Sequence, residues 1–104
     1  MKPAVLTPSA RADQRSEVKY YRQHAGVAVT AKLTKAMAGA LKALEMNPAI
    51  GSLVMGQTLG FTGMRTWRLD GFPLSYWYFE EDDRLRIARL VGQRQDASAV
   101  AVSD

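Results

Sequence analysis

The chain has 104 residues, 47% of them hydrophobic, enough for one core in one ordinary domain. It has no cysteine and a single histidine, His24, which excludes disulfides, thiolate or histidine-rich metal sites, and any Ser-His-Asp arrangement that does not use His24. The net charge of +4 is unevenly placed: residues 1–62 hold eight Lys/Arg against three acids, and residues 63–104 six against seven. The basic half suits an acidic partner or a nucleic acid and does not select between them.

Nothing approaches the length of a membrane span, and Ala4-Val5-Leu6 after Lys2 is too short for a secretory signal, so a cytoplasmic location is expected. Pro3 to Leu6 reads as a short strand. Thr7-Pro8 then has the form of a helix start, with Thr as N-cap and Pro in the first helical position. The first predicted helix runs to about Ala25 and stops at Gly26. Its apolar stripe is thin (Ala10, Val18, Tyr21, Ala25), with Gln14 where a hydrophobe would fit better. Beside it Arg11, Arg15, Lys19 and Arg22 follow one another at spacings of four, four and three, which aligns them as a basic ridge. The ridge is either a solvated face or a docking surface for an acidic partner. His24, beside Gly26, reads as a capping residue.

A second helix is predicted from about Val27 to Met46. Val29, Leu33, Ala36, Met37, Ala40 and Leu44 form its core stripe, and Asn47-Pro48 ends it. Gly39 costs about 1 kcal/mol of helix propensity relative to Ala, which suggests a closely packed neighbour. The short link at Gly26 makes the two helices an antiparallel hairpin. Ala49 to Thr62 reads as an apolar, glycine-bearing loop, pinned onto the core or closing over a ligand.

Three strands follow: Met64 to Leu69, Leu74 to Phe79 and Arg84 to Val91. Asp70-Gly71 makes the first turn, and the acids Glu80 to Asp83 hold the second at the surface. Short connections make these strands antiparallel. Parity places Leu85, Ile87, Arg89 and Val91 on one face of the last strand and Arg84 and Arg86 on the other. The middle strand is apolar on both faces, Leu74, Tyr76 and Tyr78 against Trp77 and Phe79. Such a sheet is covered on both faces, or covered on one and adhesive on the other. The fold class is therefore α+β, in the order β-α-α-β-β-β, with a helical hairpin packed on an antiparallel sheet.

Chemistry is sparse. No paired-carboxylate site, phosphate-cradling glycine loop or metal cluster stands out, and no cofactor is implied. The arginines of the sheet can grip phosphate or carboxylate through bidentate hydrogen bonds. RNA cleavage also needs proton transfer, yet no Lys follows Lys42 and no Tyr follows Tyr78.

Several short runs carry a resemblance. They are Thr7-Pro8-Ser9-Ala10 followed by Tyr20-Tyr21, Ala25-Gly26 between the helices, and Asn47-Pro48-Ala49-Ile50-Gly51 at the helix exit. Gly63-Met64-Arg65 enters the sheet, Gly71-Phe72-Pro73 marks the hairpin, and Arg89-Leu90-Val91 lies near the end. In this order the chain resembles, from about Val5 to Asp96, the RelE/ParE superfamily of toxins from type II toxin–antitoxin systems, on its ParE side. The resemblance implies one toxin domain over residues 1–96; the small-residue run over 97–104, in which Val100 and Val102 alternate, reads as a flexible tail that is disordered or orders on a partner. It implies a cytoplasmic, non-enzymatic inhibitor of DNA gyrase with no catalytic residue, metal or cofactor. Its partner would be a cognate antitoxin in a toxin–antitoxin hetero-oligomer that meets DNA only through the antitoxin and no membrane at all. Arg65, Arg89, Arg94 and Arg86 are the expected target-binding residues. Tyr21, Leu33, Met37, Trp77 and Phe79 are the expected antitoxin-binding residues. ParE-like chains commonly carry His-Gly after the last strand, where this chain has Gly92-Gln93-Arg94-Gln95-Asp96. The alternatives are a ribosome-dependent mRNA endoribonuclease of the RelE type, with Tyr76 or Tyr78 moving the proton, and a degraded toxin that keeps only antitoxin binding.

Overall fold

The computed structural model describes residues 1–102. Strand β1 (Ala4–Leu6) leads into helix α1 (Pro8–Met46), followed by the short helix α2 (Val54–Leu59) and strands β2 (Arg65–Arg68), β3 (Leu74–Glu80) and β4 (Leu85–Gly92). Thr7 caps α1 as its sequence demands: its hydroxyl accepts the Ala10 amide at 3.1 Å, with Pro8 in the first turn.

Gly26 interrupts α1 with φ 86° and ψ 177°, a conformation open almost only to glycine. The Thr30 hydroxyl donates to the freed Gly26 carbonyl at 2.8 Å. A straight helix of 39 residues would run about 58 Å, whereas the whole molecule is 38 Å in its longest direction. The arms before and after Gly26 fold back on each other, so that Val18 and Arg15 of the first lie across one groove from Met37 and Leu41 of the second. The predicted helical hairpin is thus present, as one helix broken at a single residue.

The sheet order is β1-β4-β3-β2. It is mixed rather than wholly antiparallel, because β1 pairs parallel with β4, Val5 opposite Arg86. The hairpin, with α2, β2 and β3 after it, makes up the long connection that this parallel pairing requires. Leu33, Leu44, Leu69, Leu74, Tyr76, Tyr78, Leu85, Ile87 and Leu90 form the main core between α1 and the sheet. A second cluster, Met64, Trp77 and Val91, lies on the other face under Met55 and Leu59 of α2, Phe61, and Ala97, Val100 and Val102. The sheet is therefore covered on both faces, the first of the two options its middle strand allowed. Residues expected as a tail enter this cover through a 3-10 turn at Ala97–Ala99; residues 103 and 104 lie outside the described residues.

Parity alone misplaces Val91. The ladder between β3 and β4 slips at Trp77/Tyr78, which stand opposite Arg89 and Ile87 and leave Ala88 as the extra residue. A bulge moves every later side chain to the other face. Leu90 consequently joins Leu85 and Ile87 in the main core, and Val91 joins Trp77. Gly39 also departs from expectation: apart from its own stretch of helix, no atom lies within 4 Å of where its Cβ would stand, so no tight helix contact explains it. In the segment read as a loop, α2 is a short helix closed by Gly60 at φ 81°. No helix among the described residues is long and apolar enough to cross a membrane.

Candidate functional site

Strand β1 ends opposite Ile87, so the backbone of Ala88 to Leu90 has an edge with no strand beside it. Unpaired backbone groups need partners, and helix α1 supplies them from its first turns. The Thr7 hydroxyl donates to the Ala88 carbonyl at 2.9 Å, and the Leu90 amide donates to Asp13 Oδ2 at 3.0 Å. Asp13 is also gripped by Arg89, whose Nε and Nη2 donate to Oδ2 and Oδ1 at 2.7 and 2.9 Å. These bonds to Asp13 hold the Arg89 guanidinium above its ordinary pKa. Its Nη1 donates to the Ala101 carbonyl at 2.8 Å, tying down the C-terminal segment.

One turn along α1, Glu17 accepts from Arg94 Nη2 at 3.0 Å. The Arg94 guanidinium lies 4.0 Å from the centroid of the Tyr20 ring, and Tyr20 stacks with His24 at 4.3 Å. The His24 ring nitrogen Nδ1 meets the Tyr20 carbonyl at 2.9 Å near the end of the first arm, in keeping with its expected capping role. Arg94 keeps 47% of its side chain in solvent, against 19% for Arg89 and 18% for Arg86. Of these three arginines, Arg94 offers by far the most surface.

Arg65 acts as a staple. Its Nη1 donates to the Ala49 and Gly51 carbonyls at 3.2 and 2.8 Å. Beside it the Tyr78 hydroxyl donates to the Pro48 carbonyl at 2.8 Å and accepts the Gly51 amide at 2.9 Å. Together they pin the exit of α1 to the sheet. Arg86 Nε donates to Glu81 at 2.7 Å and its guanidinium sits 4.5 Å from the Phe79 ring centroid. The structure brings Arg89 and Arg94 together along one flank of α1 and leaves Arg65 and Arg86 apart from them, each in its own network.

The residues expected to meet an antitoxin divide by burial. Leu33, Met37 and Trp77 are buried at 0%, 5% and 2% exposure and hold the two cores together. Tyr21 and Phe79 are half-buried at the core margins. The Tyr21 ring packs edge-on against Phe72 at 5.4 Å. Phe72 borders an open groove between the second arm of α1 and the β2–β3 turn, lined also by Trp67, Ala36, Gly39 and Ala43 and flanked by Lys32 and Lys35. The sequence did not single out Trp67 and Phe72, which line this groove. Nor did it single out Asp13 and Glu17, whose spacing of four on a helix flank otherwise rich in cations was the available signal.

The tyrosines named for proton transfer are sequestered. Tyr76 and Tyr78 are fully buried, and burial pushes both hydroxyls above the ordinary phenol range. The Tyr76 hydroxyl donates to Gln14 Oε1, which explains a polar residue at that core position. Neither hydroxyl reaches a surface where a 2′-hydroxyl could sit. Among the described residues no group of three or more His, Asp or Glu is placed to hold a metal ion.

A family model described as the ParE toxin of the type II toxin–antitoxin system, parDE, matches residues 4–97. Among solved structures the chain is similar to a chain of the chromosomal ParDE TA system from P. aeruginosa. The two share 21% identity at a TM-score of 0.74, over 88% of this chain and 96% of that one. That likeness extends to the fold. The curated proteins give no match.

Proposed function

Because the chain belongs to the ParE toxin family of type II toxin–antitoxin systems, we propose that it inhibits DNA gyrase without catalysis and is neutralised by a cognate antitoxin. The observation that carries this reading is the family match across residues 4–97. The target-facing patch is Arg94 with Tyr20 and His24. Arg94 is exposed yet held by Glu17 and by the Tyr20 ring, and a fixed, half-exposed arginine against an aromatic is the composition of a binding hot spot. Arg89 contributes by fixing the strand and the C-terminal segment beside it, while Arg65 and Arg86 hold the sheet elsewhere. The antitoxin lies in the groove bordered by Trp67 and Phe72, with Tyr21 at its rim. Leu33 and Met37 hold the helical arm beside it onto the core, while Trp77 and Phe79 lie in the cluster on the other face of the sheet. The complex works in the cytoplasm.

The buried hydroxyls of Tyr76 and Tyr78 count against the endoribonuclease alternative. The test is growth of cells expressing this chain alone or with the product of the adjacent reading frame. Arrest relieved by co-expression is the expected result. Unimpaired growth with soluble, folded protein would remove the toxin reading. An adjacent product that does not bind the chain would remove the antitoxin reading.

A further inference from the structure

The hairpin sorts its charges by face. Helix α1 carries seven Lys/Arg and three acids, and all three acids turn inward. Asp13 accepts from Arg89 and Leu90, Glu17 from Arg94, and Glu45 from the Ala4 amide at 2.7 Å. The seven cations are exposed, and none forms an ion pair with a described residue. Elsewhere the same protein pairs its surface cations readily: Lys2 with Glu80 and Arg84 with Glu81. The outer face of the hairpin is therefore cationic, with no neutralising carboxylate among the described residues.

Four of these cations, Arg11, Arg15, Lys19 and Arg22, line one side of the groove between the two arms. Eleven residues separate the first from the last, a rise of about 17 Å. The opposite side is Thr34, Ala38 and Leu41, and no aromatic side chain lines this groove. A protein interface usually adds Trp or Tyr anchors to its arginines, and none lines this groove. A phosphate backbone needs only well-spaced, unpaired guanidinium and ammonium groups.

We propose that the outward face of the α1 hairpin, led by Arg11, Arg15, Lys19 and Arg22, binds the phosphate backbone of duplex DNA directly and without sequence preference. This contrasts with the expectation that DNA is met only through the antitoxin, and it stands independently of the gyrase reading. Duplex DNA presents about ten phosphate charges over a 17 Å length. Four contacts give a slope near −3.6 for log K against log salt, a loss of about 150-fold between 50 and 200 mM salt.

The test is fluorescence anisotropy of a labelled mixed-sequence duplex of 20 base pairs with the full chain, titrated over that salt range. The slope should be about −3 to −4 and unchanged with an unrelated duplex. Each of R11Q, R15Q, K19Q and R22Q should reduce its magnitude by about 0.9. The controls K2Q and R84Q remove the same charge at the sheet end and should leave the slope as it was. Circular dichroism of each single variant confirms the fold. The proposal is overturned by no binding at 50 mM salt, by equal slope losses in ridge and control variants, or by a poly-glutamate peptide binding more tightly than the duplex.

Discussion

Arg89 of the last strand grips both carboxylate oxygens of Asp13 in the second turn of α1, at 2.7 and 2.9 Å. Asp13 thereby closes an edge of β4 that β1 is too short to reach. Removing one partner of a fully buried pair costs roughly 3–5 kcal/mol; here the side chains are 15% and 19% exposed, so the cost is smaller. Asp13→Ala should lose about 2–3 kcal/mol in urea denaturation, since it orphans the Leu90 amide as well as Arg89. Arg89→Ala should lose less, because Asp13 keeps the Leu90 amide.

The buried Tyr76 hydroxyl and the half-buried Gln14 form a pair whose partners are worth little apart. Tyr76→Phe and Gln14→Leu each leave one polar group without its partner and should cost about 1–2 kcal/mol. The double variant removes both groups together and should be less destabilised than the sum of the single variants. Additive losses in the thermodynamic cycle would show that the bond carries no coupling.

The same substitution should have opposite signs at two glycines. A Cβ at Gly51 would stand 2.5 Å from the Tyr78 hydroxyl and 2.9 Å from the Thr66 carbonyl, so Gly51→Ala should destabilise by about 1–3 kcal/mol. At Gly39 a Cβ meets nothing within 4 Å, and Gly39→Ala should stabilise by up to about 1 kcal/mol. Since Gly39 lines the groove proposed for the antitoxin, the same variant should weaken antitoxin binding in calorimetry while raising the melting temperature.

These cases mark what the sequence made legible. The helix start at Thr7-Pro8, the break at Gly26, the exit at Asn47 and the three-strand run follow from local chemistry, and all are present. The face of Val91 does not, because a bulge at Ala88 depends on the pairing of two strands and not on either alone. Helix α2 is too short to show a period. The arginines were visible as a set, but their partners lie 76 or 77 residues away on α1 for Arg89 and Arg94. Only the packing of hairpin on sheet decides which arginine is spent on structure and which keeps a free surface.

Glu81 is held below the ordinary carboxylate range by hydrogen bonds from Arg86 and then Arg84. A carboxylate depressed in the folded state stabilises fully above its unfolded pKa, about 4.3, and loses that contribution as pH falls through the folded value. Wild type should therefore be more stable than Glu81→Gln at pH 7, with the difference shrinking as pH is lowered below about 4. A difference in melting temperature that is unchanged by acid would contradict this role.

The most direct measurement is the supercoiling of relaxed plasmid by purified gyrase in the presence of this chain, its Arg94→Ala variant, and the product of the adjacent reading frame. The chain should block supercoiling or accumulate cleaved DNA, and the antitoxin should restore activity. About tenfold more Arg94→Ala protein should be needed, as expected for loss of one anchoring arginine. Gyrase that supercoils normally in a stoichiometric excess of folded protein would show that this chain is not a gyrase inhibitor.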